Sequence, residues 1–168
     1  MNRTVTRLLV ETFLIAVAAN FAWEVAQSVL YAPMGGWLSG TWRCFLASLG
    51  DAVIVIGIAG SGWLLFRRVD WFVRPGIEGY LLMAALGILV AVFIERGAIV
   101  TGRWAYTDRM PVIPRVNVGL APVLQMVILP PFVLSLAVSC LRAQKNGDDP
   151  HGLESGIVRS HPDVSHAV

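Results

Sequence analysis

The chain has 168 residues, of which 56% are hydrophobic and only 14% charged, and its mean hydropathy is +0.67. Soluble domains carry about 25% charged residues, so this composition points to an integral membrane protein, with no room for a second folded domain once the spans are counted. The net charge of +2, with its basic residues dispersed over short loops, excludes a nucleic-acid partner.

The first apolar segment, Leu8 to Tyr31, follows Arg3 and Arg7. Ala16-Val17-Ala18 has the look of a leader cleavage site, but Glu11 and the unbroken run to Tyr31 favour a retained first helix. The second segment is Phe45 to Phe66, the third Ile77 to Glu95 with an extension to Val100, and the fourth Val118 to Leu141. Each is near or above the ~20 residues needed to cross a bilayer, and lipid leaves helices as the spanning form because every backbone group must be satisfied within the segment. The predicted class is all-α, an integral membrane four-helix bundle with a capping loop between helices 3 and 4. Residues 1–142 form the transmembrane domain, and 143–168 read as a polar, disordered tail.

Arg3, Arg7, Arg67, Arg68, Arg74, Arg142 and Lys145 fall on one side of the membrane, against Arg43, Arg96, Arg103, Arg109 and Arg115 on the other. That balance favours both termini inside. Trp37, Trp42, Trp63, Trp71 and Trp104 lie near span ends and fit interfacial belts. Ala18, Ala22 and Ala26, with Gly57, Gly60, Ser61 and Gly62, predict close helix approach. Pro130-Pro131 predicts a kink in the fourth helix. Cys44 and Cys140 fall at opposite membrane faces, about 30 Å apart, well beyond the ~7 Å that a disulfide spans. His151, His161 and His166 match no common metal spacing, and no cofactor motif is evident.

Glu24 and Asp51 interrupt the first two segments. A carboxylate at the centre of a spanning helix costs about 2.5–3.5 kcal/mol on insertion scales, so such a residue marks a candidate site. With a rise of 1.5 Å per residue, Glu24, Asp51 and Gln125 each lie roughly 10 Å below the face carrying the first and third loops. Asn20, Glu24, Gln27 and Tyr31 follow i, i+4, i+7, i+11 spacing, one helix face that lipid drives inward. Glu95 lies near the same face and is followed by Arg96, so it serves either an interfacial ion pair or the site. Glu11 and Glu78, near the opposite helix ends, should snorkel or pair with Arg7 or Arg74. The third loop, Gly102 to Asn117, is unusually apolar, carrying Trp104, Tyr106, Met110, Val112 and Ile113, and Pro111 and Pro114 stiffen it toward extended or polyproline backbone. It predicts a cap folded over the pocket, the alternative being a loop anchored among lipid head groups.

The candidate acid–base pair is therefore Glu24 and Asp51, with Glu95 as a third carboxylate. The candidate substrate contacts are Asn20, Trp23, Gln27, Tyr31, Trp104, Tyr106 and Gln125. A proton-handling pair with aromatic faces nearby suits isomerisation, cyclisation or hydration of an isoprenoid or sterol-like lipid. The leading expectation is a pocket that binds a lipophilic small molecule, with acid–base conversion left open. The alternatives are an accessory subunit of a larger membrane complex, or a small proton- or ion-coupled transporter working as a homo-oligomer. Against all of these stands a plainer role, polar side chains tying helices together at about 0.6 kcal/mol per contact.

Asn20-Phe21-Ala22-Trp23-Glu24-Val25-Ala26-Gln27, Leu30-Tyr31, Gly50-Asp51, Glu95, Trp104-Ala105-Tyr106, Met110-Pro111, Gly119, Pro122 and Gln125 together resemble an uncharacterised family of small four-span bacterial inner-membrane proteins. The resemblance covers nearly all the chain except the tail. It implies the fold class and a bacterial inner-membrane location, and no activity, cofactor or substrate.

Overall fold

The computed structural model describes residues 3–33, 35–68 and 70–147. Its helices are α1 (Arg3–Gln27), α2 (Trp37–Phe66), α3 (Gly76–Val100) and α4 (Leu120–Gly147), each long and apolar enough to cross a membrane. The all-α membrane bundle stands as expected, apart from a short hairpin in the third loop, β1 (Val112–Ile113) and β2 (Val118–Gly119).

Several boundaries differ from the sequence reading, α1 among them, which runs from Arg3 to Gln27. α2 begins at Trp37, eight residues before the expected start, because Gly35 at positive φ turns the chain and Gly36 precedes the first helical residue. α4 starts at Leu120 because Val118 and Gly119 pair with β1. It also continues to Gly147, so residues 143–147 of the polar segment are helical; residues 148–168, with the three histidines, lie outside the described residues.

α1 packs extensively on α2 and α4, and α3 packs on α4, whereas α2 and α3 touch sparsely. Ala16, Ala52, Val55 and Val133 join α1, α2 and α4 in the middle of the bundle. Trp71, on a single 3-10 turn between α2 and α3, is buried with Ile58, Met83 and Leu134 and plugs the second-loop end. Its indole N–H donates to the Ala59 carbonyl at 2.8 Å. Trp71 is thus a core wedge and not an interfacial anchor. Gly62 makes room for it, since a Cβ there would stand 2.1 Å from the ring.

The small residues of α1 are a second correction. Ala18, Ala22 and Ala26 face outward, because the polar face of the same helix takes the inner side. In α2 the close approach belongs to Gly62, while a Cβ on Gly57 or Gly60 would meet nothing within 4 Å.

α4 passes through Pro130-Pro131 without ending. Pro130 has no N–H for the Met126 carbonyl one turn back. That carbonyl faces Gly87 of α3, where a Cβ would lie 2.1 Å from the oxygen. The missing donor in one helix and the missing side chain in the other meet at one point. Near the other end of α1, Arg7 and Glu11 form the expected i, i+4 pair at 2.9 Å. Glu78 is exposed in the first turn of α3, where a negative charge suits the helix dipole.

Candidate functional site

Lipid offers no partner to a side-chain amide, so the polar groups of α1, α2 and α4 find one another. Gln125 of α4 is 1% exposed and sits at the centre. Its Nε2 donates to Asp51 Oδ2 at 2.8 Å and to Asn20 Oδ1 at 2.9 Å, and its Oε1 accepts from Gln27 Nε2 at 3.0 Å. Gln27 Nε2 also donates to Glu24 Oε1 at 2.8 Å, and Gln27 Oε1 accepts the Trp23 indole N–H at 3.2 Å. Asn20 Nδ2 closes the network on the Ala16 carbonyl at 2.8 Å. Both glutamines use both amide hydrogens and have their oxygens accepting, which fixes their orientation. Each carboxyl thereby receives an amide N–H, and Glu24 and Asp51 interact directly.

The two carboxyls are half-buried and open onto a cavity, whereas Glu95 is the buried one, 5% exposed. The sparse contact between α2 and α3 leaves one side of Glu24 and of Asp51 uncovered by protein.

The cavity has a volume of about 870 Å³ and fills that gap in the half of the bundle nearest the first and third loops. Glu24 and Gln27 of α1, Asp51 of α2 and Gln125 of α4 contribute its polar groups. Gly40, Cys44, Ala47, Asp51 and Ile54 form one face of α2 and line one wall. A Cβ added at Gly40 or Gly50 would meet open space. Ala91 and Ile94 of α3 line the opposite wall.

The cap is real and is built around Glu95. Tyr31 and Tyr106 form an antiparallel bridge between the first and third loops. Ala32 N–H donates to the Ala105 carbonyl at 2.8 Å and Thr107 N–H to the Leu30 carbonyl at 2.9 Å. Glu95 accepts the Tyr31 hydroxyl at 3.2 Å, the Trp104 indole N–H at 3.2 Å and, on the same oxygen as Trp104, the Tyr106 hydroxyl. Tyr106 in turn accepts the Gly119 N–H at 2.8 Å, tying the loop to the start of α4. Burial, reinforced by the Glu95 charge, pushes the Tyr31 phenol well above its ordinary range. Burial and the bond to Glu95 do the same for Tyr106.

Of the two readings for Glu95, the ion pair with Arg96 is not formed: Arg96 donates to the Val116 carbonyl at 3.1 Å. The extended backbone beside Pro111 and Pro114 is strand β1, which pairs with β2 in a hairpin that has Arg115 and Asn117 at positive φ in its turn.

Of the residues singled out in the sequence, Glu24, Gln27, Tyr31, Asp51, Glu95, Trp104 and Gln125 line the cavity. Asn20, Trp23 and Tyr106 lie behind it and hold the lining in place. Three lining features were missed: Arg43 and Arg103 at the mouth, and the small-residue face of α2. The α2 face was readable as Gly40, Cys44, Ala47 and Asp51 at i, i+4, i+7, i+11, had the helix been started early enough. No protein-family model matches the chain, nor does any curated protein or solved structure.

Proposed function

We propose that the cleft between α2 and α3 binds a lipophilic small molecule of isoprenoid or sterol-like shape, and that Glu24 and Asp51 serve it as a proton-handling pair. The observation that carries this is the cavity itself. Ligand sites are mostly apolar clefts of about 300–1,000 Å³ with a few converging polar groups, and this one is about 870 Å³ with two carboxyls and two glutamine amides at one end. A network serving only to join helices has no need of a cavity beside it.

The stitched cap covers the aqueous end, and the sparse α2–α3 contact leaves a side path toward lipid. A close carboxyl pair offers one acid and one base to the same ligand. Tyr31 and Trp104, in edge-to-face contact at 6.3 Å, supply aromatic faces near the mouth. The location proposed with this function is the bacterial inner membrane with both termini inside, following the arginine balance.

Lipid extraction and mass spectrometry of the purified protein test the reading. A stoichiometric lipophile should accompany the wild type and be lost from the Glu24→Gln, Asp51→Asn double variant while helix content is unchanged. A lipid-free wild type, or equal retention by the double variant, refutes it.

A further inference from the structure

We infer that the polar group of the ligand is a hydrogen-bond donor, a hydroxyl or a protonated amine, seated against Glu24 and Asp51 at the inner end of the cavity. This rests on the binding reading above and adds the chemical class of the ligand.

The amide donors at the inner end are spent within the protein. Gln125 Nε2 gives its two hydrogens to Asp51 and Asn20, and Gln27 Nε2 gives its two to Glu24 and Gln125. A side-chain amide carries two N–H donors, so neither glutamine has one left to offer. The Trp23 indole N–H goes to Gln27. Toward the cap, the Tyr31 hydroxyl and the Trp104 indole N–H both go to Glu95.

Acceptors, by contrast, are in excess. A carboxylate has about four lone-pair sites, and the amide bonds occupy a minority of those on Glu24 and Asp51, whose half-buried side chains face the cavity. A proton shared in the direct contact between the two carboxyls lies between them and leaves their outer lone pairs to the cavity. A carbonyl, ester or ether would set its own lone pairs against these. A hydroxyl or an ammonium supplies the hydrogen they lack, and a site built to bond such a group rejects the analogue without it.

Arg43 and Arg103 also line the cavity, at its mouth. Arg43 precedes Asp51 by eight residues of α2, about 12 Å along the helix, and the Arg103 guanidinium lies over the Trp104 ring at 5.6 Å. Between the mouth and the carboxyl pair, α2 presents Cys44, Ala47 and Gly50, and α3 presents Ala91 and Ile94 opposite. That apolar slot takes the hydrocarbon.

Cys44, half-buried on this wall, provides the readout. The full-length Cys140→Ser protein in phosphatidylcholine nanodiscs is labelled with N-ethylmaleimide in the presence of two matched pairs of probes. One pair is farnesol and farnesyl methyl ether. The other is protonated N,N-dimethylfarnesylamine and the farnesyltrimethylammonium ion, which keeps the charge but has no N–H. In each pair the donor should protect Cys44 at concentrations at least about tenfold lower than its methylated counterpart, as expected for a hydrogen bond to a charged group. Asp51→Asn places an amide N–H at the inner end, so there the methyl ether should gain on farnesol; helix content and native mass spectrometry of the same nanodiscs check that the variant is folded and loaded. Equal protection within either pair in the wild type overturns the donor assignment and leaves the lipophile reading standing. An unchanged preference in Asp51→Asn also overturns it. Protection by no probe refutes both.

Discussion

Gln27 and Gln125 meet side chain to side chain across the bundle, Nε2 of one donating to Oε1 of the other at 3.0 Å, and through them every polar residue of the network is joined. Gln125 is the member with no redundancy. Replacing it with leucine keeps the volume but removes the donor to Asp51, the donor to Asn20 and the acceptor for Gln27. A buried polar group stripped of its partner costs about 1–3 kcal/mol. Hydrogen bonds between membrane helices average nearer 0.6 kcal/mol, so Gln125→Leu should destabilise the fold by about 1–3 kcal/mol in all. SDS-driven unfolding measures this. A change below a few tenths of a kcal/mol would show that the network does not hold α1, α2 and α4 together.

Glu95 should behave as the keystone of the cap. Its three donors come from Tyr31, Trp104 and Tyr106, none from its own helix. Hydrogen bonds to a charged group contribute about 1.5–3 kcal/mol, so Glu95→Ala should accelerate local opening of the loop by about ten- to a hundredfold. Hydrogen exchange at the Ala32 and Thr107 amides, which bridge the two loops, reports the opening. Amides in the middle of α4 should exchange at unaltered rates. Parallel acceleration throughout the bundle would instead make Glu95 a general stability residue.

Most of this arrangement was legible for one reason: in lipid, polar side chains must find each other. The Asn20-Glu24-Gln27-Tyr31 face and Gln125 could be placed together from spacing and depth alone, and the apolar third loop announced a cap. What failed were residues with two uses. Trp71 looks the same in sequence whether it anchors at an interface or wedges between helices, and only Gly62 and Gly79 opposite it decide. Ala18, Ala22 and Ala26 allow close packing but do not compel it, and the polar face of α1 had already claimed the inner side. The start of α2 was hidden by Gly35, Gly36 and Gly40, poor helix formers that here turn the chain and line a wall. The role of Glu95 depended on where three aromatic donors from two other segments would fall, which no local pattern encodes.

The cap should also resist alkali up to a limit and then fail. An unperturbed tyrosine ionises near pH 10, and both Tyr31 and Tyr106 are shifted upward in the folded protein, chiefly by burial. A group that holds its proton more tightly when folded contributes stability fully below its unfolded pKa and loses it as pH rises above that value. Cap stability should therefore be indifferent to these two groups up to about pH 10 and decline above it. Difference absorbance at 295 nm, wild type minus Tyr31→Phe, Tyr106→Phe, should show phenolate appearing later than in free tyrosine and together with accelerated exchange at Thr107. Phenolate appearing at the ordinary pH would mean that the two rings are not enclosed.

The contact between Gly87 and Met126 makes the sharpest steric prediction. A Cβ at Gly87 would stand 2.1 Å from a backbone oxygen, and backbone cannot rotate out of the way as a side chain tip can. Gly87→Ala must push α3 from α4, at a cost of about 1–3 kcal/mol for overpacking. Gly97, in the same helix, supplies the control: a Cβ there meets nothing within 4 Å, so Gly97→Ala should cost nothing measurable. Because Ala91 and Ile94 of α3 form one wall of the cavity, the displacement at Gly87 should also alter Cys44 reactivity toward maleimide, which a purely local strain would not. Equal stabilities for the two alanine variants would mean that α3 and α4 do not approach as closely at this point as the freed Met126 carbonyl implies.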